Sequence, residues 1–251
     1  LWLFWSPADT LIWLPLLFCG AESLVLGRRS RGFALILLSG TLLLLAGHPE
    51  TAFTAGLGTG MYFFLRVAHC HWKAPGTALK LSGLALSAWL GALLLSGAQL
   101  LPLVEYMANS WTLAERTKLG PTVFAARALI CMIVPGFRGM TYTASDVSLE
   151  FGNSNWTAMY YPGWSVWMGL CLLGSMAIGR DRKTYYHSRA VCLTIVAGLL
   201  LVFVFGSRSF PWLDTLPLAN VVLRPWFFTF ALFGMIIVAA ESIQTWFSKP
   251  H

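Results

Sequence analysis

LLLLAGHPETAFTAG, residues 42–56, decides how the rest of the chain is read. Four leucines run into Gly47-His48-Pro49-Glu50, and an apolar pattern then resumes at once. Glycine just past an apolar run stops a helix, and proline at the head of the next run starts one. The stretch is therefore two helices joined by a tight turn. His48 is the N-cap, Pro49 sits at N1 where its missing N–H costs nothing, and Glu50 faces the positive end of the helix dipole. Capping accounts for the proline and the acid. It accounts less well for histidine, because Ser, Asp and Asn are better caps. An imidazole beside a carboxylate at the meeting of two helix ends also suits proton exchange, or the metal of a phosphate-linked substrate. Both readings are open at this point.

The composition surrounding this turn is that of a chain dissolved in lipid. Hydrophobic residues make up 57% and charged residues only 11%, against about 25% charged in average soluble domains. Mean hydropathy is +0.68, with 12 Trp and 17 Phe. The chain begins with Leu1 and shows neither a basic leader region nor a small-residue cleavage site. We read no signal peptide and expect the later part of a longer membrane protein. The five cysteines form no CxxC pair. His69-Cys70-His71 has the residue types of a metal tract without the four spaced ligands of a zinc site, and reads as a membrane-edge cluster.

A membrane-spanning helix needs roughly 20 mostly apolar residues. The candidates are 10–27, 33–47, 50–67, 79–101, 159–178, 189–206 and 225–246. The expected architecture is all-α and polytopic, with about seven transmembrane helices. It divides into four spans over 1–101, an extracytoplasmic segment over 102–158 and three spans over 159–251. Alternate gaps hold Arg28, Arg29 and Arg31, then Arg66, Lys73 and Lys80, then Arg180, Arg182, Lys183 and Arg189, and finally Lys249. The positive-inside rule puts these gaps in the cytoplasm. It also accounts for the net charge of +7 without nucleic acid as a partner. The acids divide the other way: Asp9, Glu50, Glu105, Glu115, Asp146, Glu150 and Asp214 fall outside.

Pro102 is expected to stop or kink the fourth helix. Residues 122–134 are apolar but too short to span, and read as an interfacial helix. Residues 135–158 are rich in Gly, Ser, Thr and Asn and read as a loop, with Asn155-Trp156-Thr157 fitting a glycosylation sequon. Asp146 and Glu150 share a face if helical and would then suit a divalent cation; solvated loop acids are the commoner case.

Further polar residues sit at expected outer helix ends. Gln99 and Glu105 flank Pro102; Gln99 suits carbonyls freed by the proline, Glu105 suits solvent, and both suit a substrate. Arg224-Pro225 opens the last span, where a cation opposes the helix dipole. Asp214 or a substrate phosphate would hold that guanidinium, as would lipid headgroups. Glu22, near the cytoplasmic end of the first span and close to Arg28 and Arg29, reads as structural.

The blocks AGHPETAF, GAQLLPLVEY, VPGFRG, YYPGWSVWMGLCLLG and LRPWFFTFALF, in this order, resemble the YfhO-like bacterial membrane proteins, which share the GT-C glycosyltransferase architecture. The resemblance runs from SPADTLIWLPLL to the last span. It implies a multi-pass enzyme of the bacterial cytoplasmic membrane, moving a sugar from a polyprenyl-phosphate carrier to a cell-envelope acceptor on the extracytoplasmic face. In such enzymes a carboxylate in the first outer loop commonly serves as base or metal ligand. The resemblance places that loop upstream of Leu1, so no residue is carried over for it. The matching positions are His48, Pro49 and Glu50; Gln99, Pro102 and Glu105; and Arg224 and Pro225. On this reading Glu50 or Glu105 orients or deprotonates the acceptor, with His48 in support. Arg224 neutralises the carrier phosphate, with or without a divalent cation (Mg or Mn), and Gln99 contacts substrate. The competing expectations are a non-enzymatic lipid-linked sugar binder or flippase component, and, behind it, a solute transporter.

Overall fold

The structure is a computed structural model. It describes residues 6–109, 166–168, 170, 171, 188–205 and 225–247. Among these, every regular element is an α-helix, as expected: α1 (Ser6–Leu11), α2 (Leu14–Val25), α3 (Arg29–Leu45), α4 (Pro49–His71), α5 (Pro75–Leu95), α6 (Gly97–Asn109), α7 (Ser188–Phe205) and α8 (Pro225–Phe247). The chain divides into two compact units, Leu1–Leu119 and Gly120–His251. The expected interfacial helix 122–134, the loop 135–158 and most of the span 159–178 lie outside the described residues.

In the first unit, local chemistry sets the helix ends. The expected span 10–27 is two helices, because Pro15 has no N–H for the Leu11 carbonyl and its ring crowds that carbonyl; α1 ends at Leu11 and α2 starts afresh at Leu14. α2 closes on a Schellman motif. Gly27 takes φ 78°, its N–H bonds to the Leu24 carbonyl, and the Arg28 N–H bonds to the Ser23 carbonyl, satisfying acceptors at the helix end. Gly47, at φ 87°, ends α3 in the same left-handed region. Pro102 does not end the fourth helix. α5 stops at Leu95, Ser96 interrupts, and Pro102 lies inside α6. The interruption coincides with a bond between helices: the Ser96 hydroxyl donates across to the Thr41 carbonyl of α3 at 3.4 Å, and Gly97 follows it.

α2 and α3 form a close antiparallel hairpin. A Cβ on Gly32 would lie 2.7 Å from the Leu24 backbone nitrogen, and one on Gly20 3.0 Å from that of Ile36. Small residues thus let the two backbones approach, as in membrane helix pairs. Trp89 of α5 packs over Gly40 of α3 and Gly56 of α4. The contacts Phe18–Tyr62 and His71–Val25 show α2 and α4 running parallel. Gly91 against Leu37 and Gly40 against Ala92 show the same for α3 and α5. One end of this unit therefore gathers the turns bearing Arg28, Arg29, Arg31, Lys73 and Lys80, and the opposite end the Gly47-His48 turn and Ser96.

In the second unit α7 and α8 are antiparallel. Arg189 and Glu241 form an ion pair at one end, and Phe203 and Phe227 stack edge to face at the other, with centroids 5.1 Å apart.

Among the described residues two helical segments, Pro75–Leu95 and Phe227–Gln244, are long and apolar enough to cross a bilayer, fewer than the seven spans expected over the chain. The expected span 159–178 lies mostly outside the described residues; for the helices described, the difference is physical. α3 has 17 residues, about 26 Å of helix against a core of about 30 Å. α2 has 12, and α4 dilutes its apolar stretch with Thr, Gly and Arg66. A buried core helix of a soluble protein would meet the same length criterion, but α5 is not one. Only 17% of its apolar window is buried, and Leu79, Leu86, Leu90, Leu94 and Leu95 are all exposed. An apolar face of that extent belongs against lipid or another protein, and with the composition it marks a membrane protein.

Candidate functional site

The end opposite the basic turns carries the expected polar residues. The left-handed turn at Gly47 aims the chain into α4 with His48 as N-cap at φ −118°. His48 Nδ1 accepts from the Thr51 N–H at 3.2 Å and lies 2.7 Å from the Thr51 hydroxyl. This satisfies one of the orphan donors of the first turn, so histidine does serve as a cap. Because Nδ1 accepts from an N–H, the neutral ring carries its proton on Nε2. Proton exchange at His48 would run through that atom. Glu50, half-buried, occupies the first turn of α4.

Gln99 is brought to this turn. Its Nε2 lies 3.9 Å from the position a Cβ on Gly47 would take, and the Ser96–Thr41 bond pins the same corner. His48, Glu50 and Gln99, from two helix junctions 50 residues apart in sequence, thus share one end of the first unit. Glu105 stands apart on α6. It is six residues beyond Gln99, about 9 Å along the axis and about 240° around it, and it is exposed; its carbonyl accepts from the Asn109 side chain at 2.9 Å. Arg224, Asp146, Glu150 and Asp214 lie outside the described residues. Among the described residues no group of three His, Cys, Asp or Glu side chains is placed to hold a metal ion. His48, Glu50 and Gln99 offer one imidazole, one carboxylate and one amide, so the described donors at this turn do not by themselves fit an oxygen-rich Mg or Mn site.

Glu22 is structural, but its partners differ from those expected. Arg28 and Arg29 are exposed; it is Arg66 of α4 that grips Glu22 with a fork, Nη2 to Oε1 at 2.5 Å and Nε to Oε2 at 3.2 Å. The Tyr62 hydroxyl donates to Oε2 at 2.6 Å. The Arg66 and Glu22 side chains are only 5% and 11% exposed. Arg66 also donates to Cys70 Sγ at 3.1 Å, and His71 Nε2 lies 3.1 Å from the Val25 carbonyl, so Cys70 and His71 are spent on helix contacts. A readable signal existed. Tyr62 and Arg66 are four apart on one helix face, and an acid inside an apolar run needs a cation.

At the basic end an open groove of about 750 Å³ runs between α3 and α5, lined by Arg29, Ser30, Phe33, Lys80, Leu84 and Ser87 among others. No family model, curated protein or solved structure matches the chain.

Proposed function

We propose that the chain belongs to a YfhO-like membrane glycosyltransferase of GT-C type, moving a sugar from a polyprenyl-phosphate carrier to an acceptor at the end of the bundle that bears His48. The observation that carries this reading is the meeting of His48, Glu50 and Gln99 at one end of the first unit, with the basic turns at the other. Polar groups in an apolar bundle are costly and collect where they bind or react. Glu50 orients or deprotonates the acceptor hydroxyl, His48 supports it through Nε2, Gln99 contacts substrate, and Glu105 acts from α6 outside this cluster; the carrier-phosphate role expected of Arg224 falls on a residue outside the described ones.

One observation favours the second reading, a binder of lipid-linked sugar or a flippase component: His48 Nδ1 is already used in the helix cap, which suits a positioned recognition group without turnover. The two are separated by reconstituting the full-length protein with a labelled polyprenyl-phosphate sugar and an envelope acceptor. The transferase reading expects Glu50→Gln to cut transfer by roughly 100-fold or more while carrier binding persists. Wild-type transfer rates in both Glu50→Gln and Glu105→Gln would remove it. Saturable carrier binding without any transfer would select the binder.

A further inference from the structure

A second site lies in the interior of the first unit, about 16 Å along α4 from His48. A cavity of about 160 Å³ is enclosed by α2, α3, α4 and α5, with Thr59, Gly60, Phe63, Ala85, Leu86 and Trp89 among its walls. Thr59 is 3% exposed, and its hydroxyl has no hydrogen-bond partner among the described residues. That is unusual for this protein. Ser23, Ser39, Thr41, Thr54, Thr194 and Ser242 all turn their hydroxyls back onto a carbonyl three or four residues earlier. Thr59 forgoes that bond and lines the cavity instead. A buried hydroxyl left unpaired costs roughly 1–3 kcal/mol, so something should meet it.

One ordered water, about 30 Å³, would meet the polar side chains of the lining, Thr59, Ser82 and Trp89, but would leave most of the cavity bounded by apolar groups. The volume matches a single ring; a cavity of about 150 Å³ lined by aliphatic and aromatic groups accepts benzene. Access exists between α4 and α5. A Cβ on Gly60 would meet nothing within 4 Å, and Phe64 and Leu86 at the rim are 60% and 62% exposed.

We infer that this cavity binds a single-ring apolar molecule bearing one hydroxyl or carbonyl oxygen, with Thr59 as its hydrogen-bond partner and Phe63 and Trp89 as aromatic walls. The ligand enters from the apolar face between α4 and α5, and the site is independent of the His48 end.

The test is ¹⁹F NMR titration of the full chain in detergent with 4-fluorophenol and, as the probe lacking the polar atom, fluorobenzene. Ala85→Leu fills the cavity and serves as the blank for micelle partitioning. Wild type should bind 4-fluorophenol saturably and about 5- to 10-fold more tightly than fluorobenzene, the worth of one neutral hydrogen bond. Thr59→Val should erase that preference, Thr59→Ser should keep it, and Ala85→Leu should abolish binding of both probes. Helix content by circular dichroism, unchanged in each variant, shows that the fold is intact. A preference that survives Thr59→Val, its loss in Thr59→Ser as well, or wild-type binding no greater than the Ala85→Leu blank would overturn the inference.

Discussion

Arg66 and Glu22 make a buried ion pair whose worth lies in the penalty for breaking it. Removing one partner strands the other charge inside the bundle, and Arg66→Ala should cost about 3–5 kcal/mol of stability, read as a lowered thermal midpoint. Replacing Glu22 by Met, Tyr62 by Phe and Arg66 by Met together should recover much of that loss, because desolvation of both charges and of the Tyr62 hydroxyl is then avoided. His48 offers a sharper division between structure and chemistry. Its Nδ1 bond to the Thr51 N–H is a cap, and His48→Ala should cost about 1 kcal/mol. His48→Asn restores a capping oxygen and should restore stability. If the imidazole also serves transfer, sugar transfer stays impaired in His48→Asn at wild-type stability; equal recovery of both would reduce His48 to a cap.

At the level of helices, the close α2–α3 approach rests on glycine. Gly32→Ala would force a Cβ to 2.7 Å from the Leu24 backbone nitrogen, where nothing flexible can yield. It should destabilise by about 1–3 kcal/mol. Gly198 of α7 has nothing within 4 Å of the same position, and Gly198→Ala should be neutral or stabilise by about 0.5–1 kcal/mol through helix propensity. Thermal unfolding of the two variants side by side checks the contrast. The helix ends at Gly27, Gly47 and Pro49 were legible in the sequence because each rests on local backbone chemistry, whereas the start of α5 at Pro75 precedes the expected span 79–101. The breaks at Leu11 and Ser96 were not legible. The first turns on the reach of Pro15 back to a carbonyl four residues earlier. The second coincides with a bond from Ser96 to Thr41, 55 residues away. The Glu22–Arg66 pair escaped for a different reason: charge bookkeeping by gaps assigns Arg66 to a loop, whereas α4 continues past it to His71.

Over the whole first unit, the Gly47-His48 turn and the start of α6 meet at one end, and the basic turns lie at the other. The candidate residues His48, Glu50 and Gln99 were readable from their position at apolar run ends, but their convergence was not, since it depends on α3 and α5 running parallel and ending together. Engineered cysteine pairs address this in the membrane-embedded full chain, in a background whose five native cysteines are replaced by serine. His48→Cys with Gln99→Cys should cross-link rapidly under mild oxidation or with a short bifunctional reagent. Lys73→Cys with Gln99→Cys should not, because the length of α5, about 30 Å, separates them. Efficient cross-linking of 73 with 99, or none between 48 and 99, would contradict a shared polar end and leave the proposed transfer chemistry without a site.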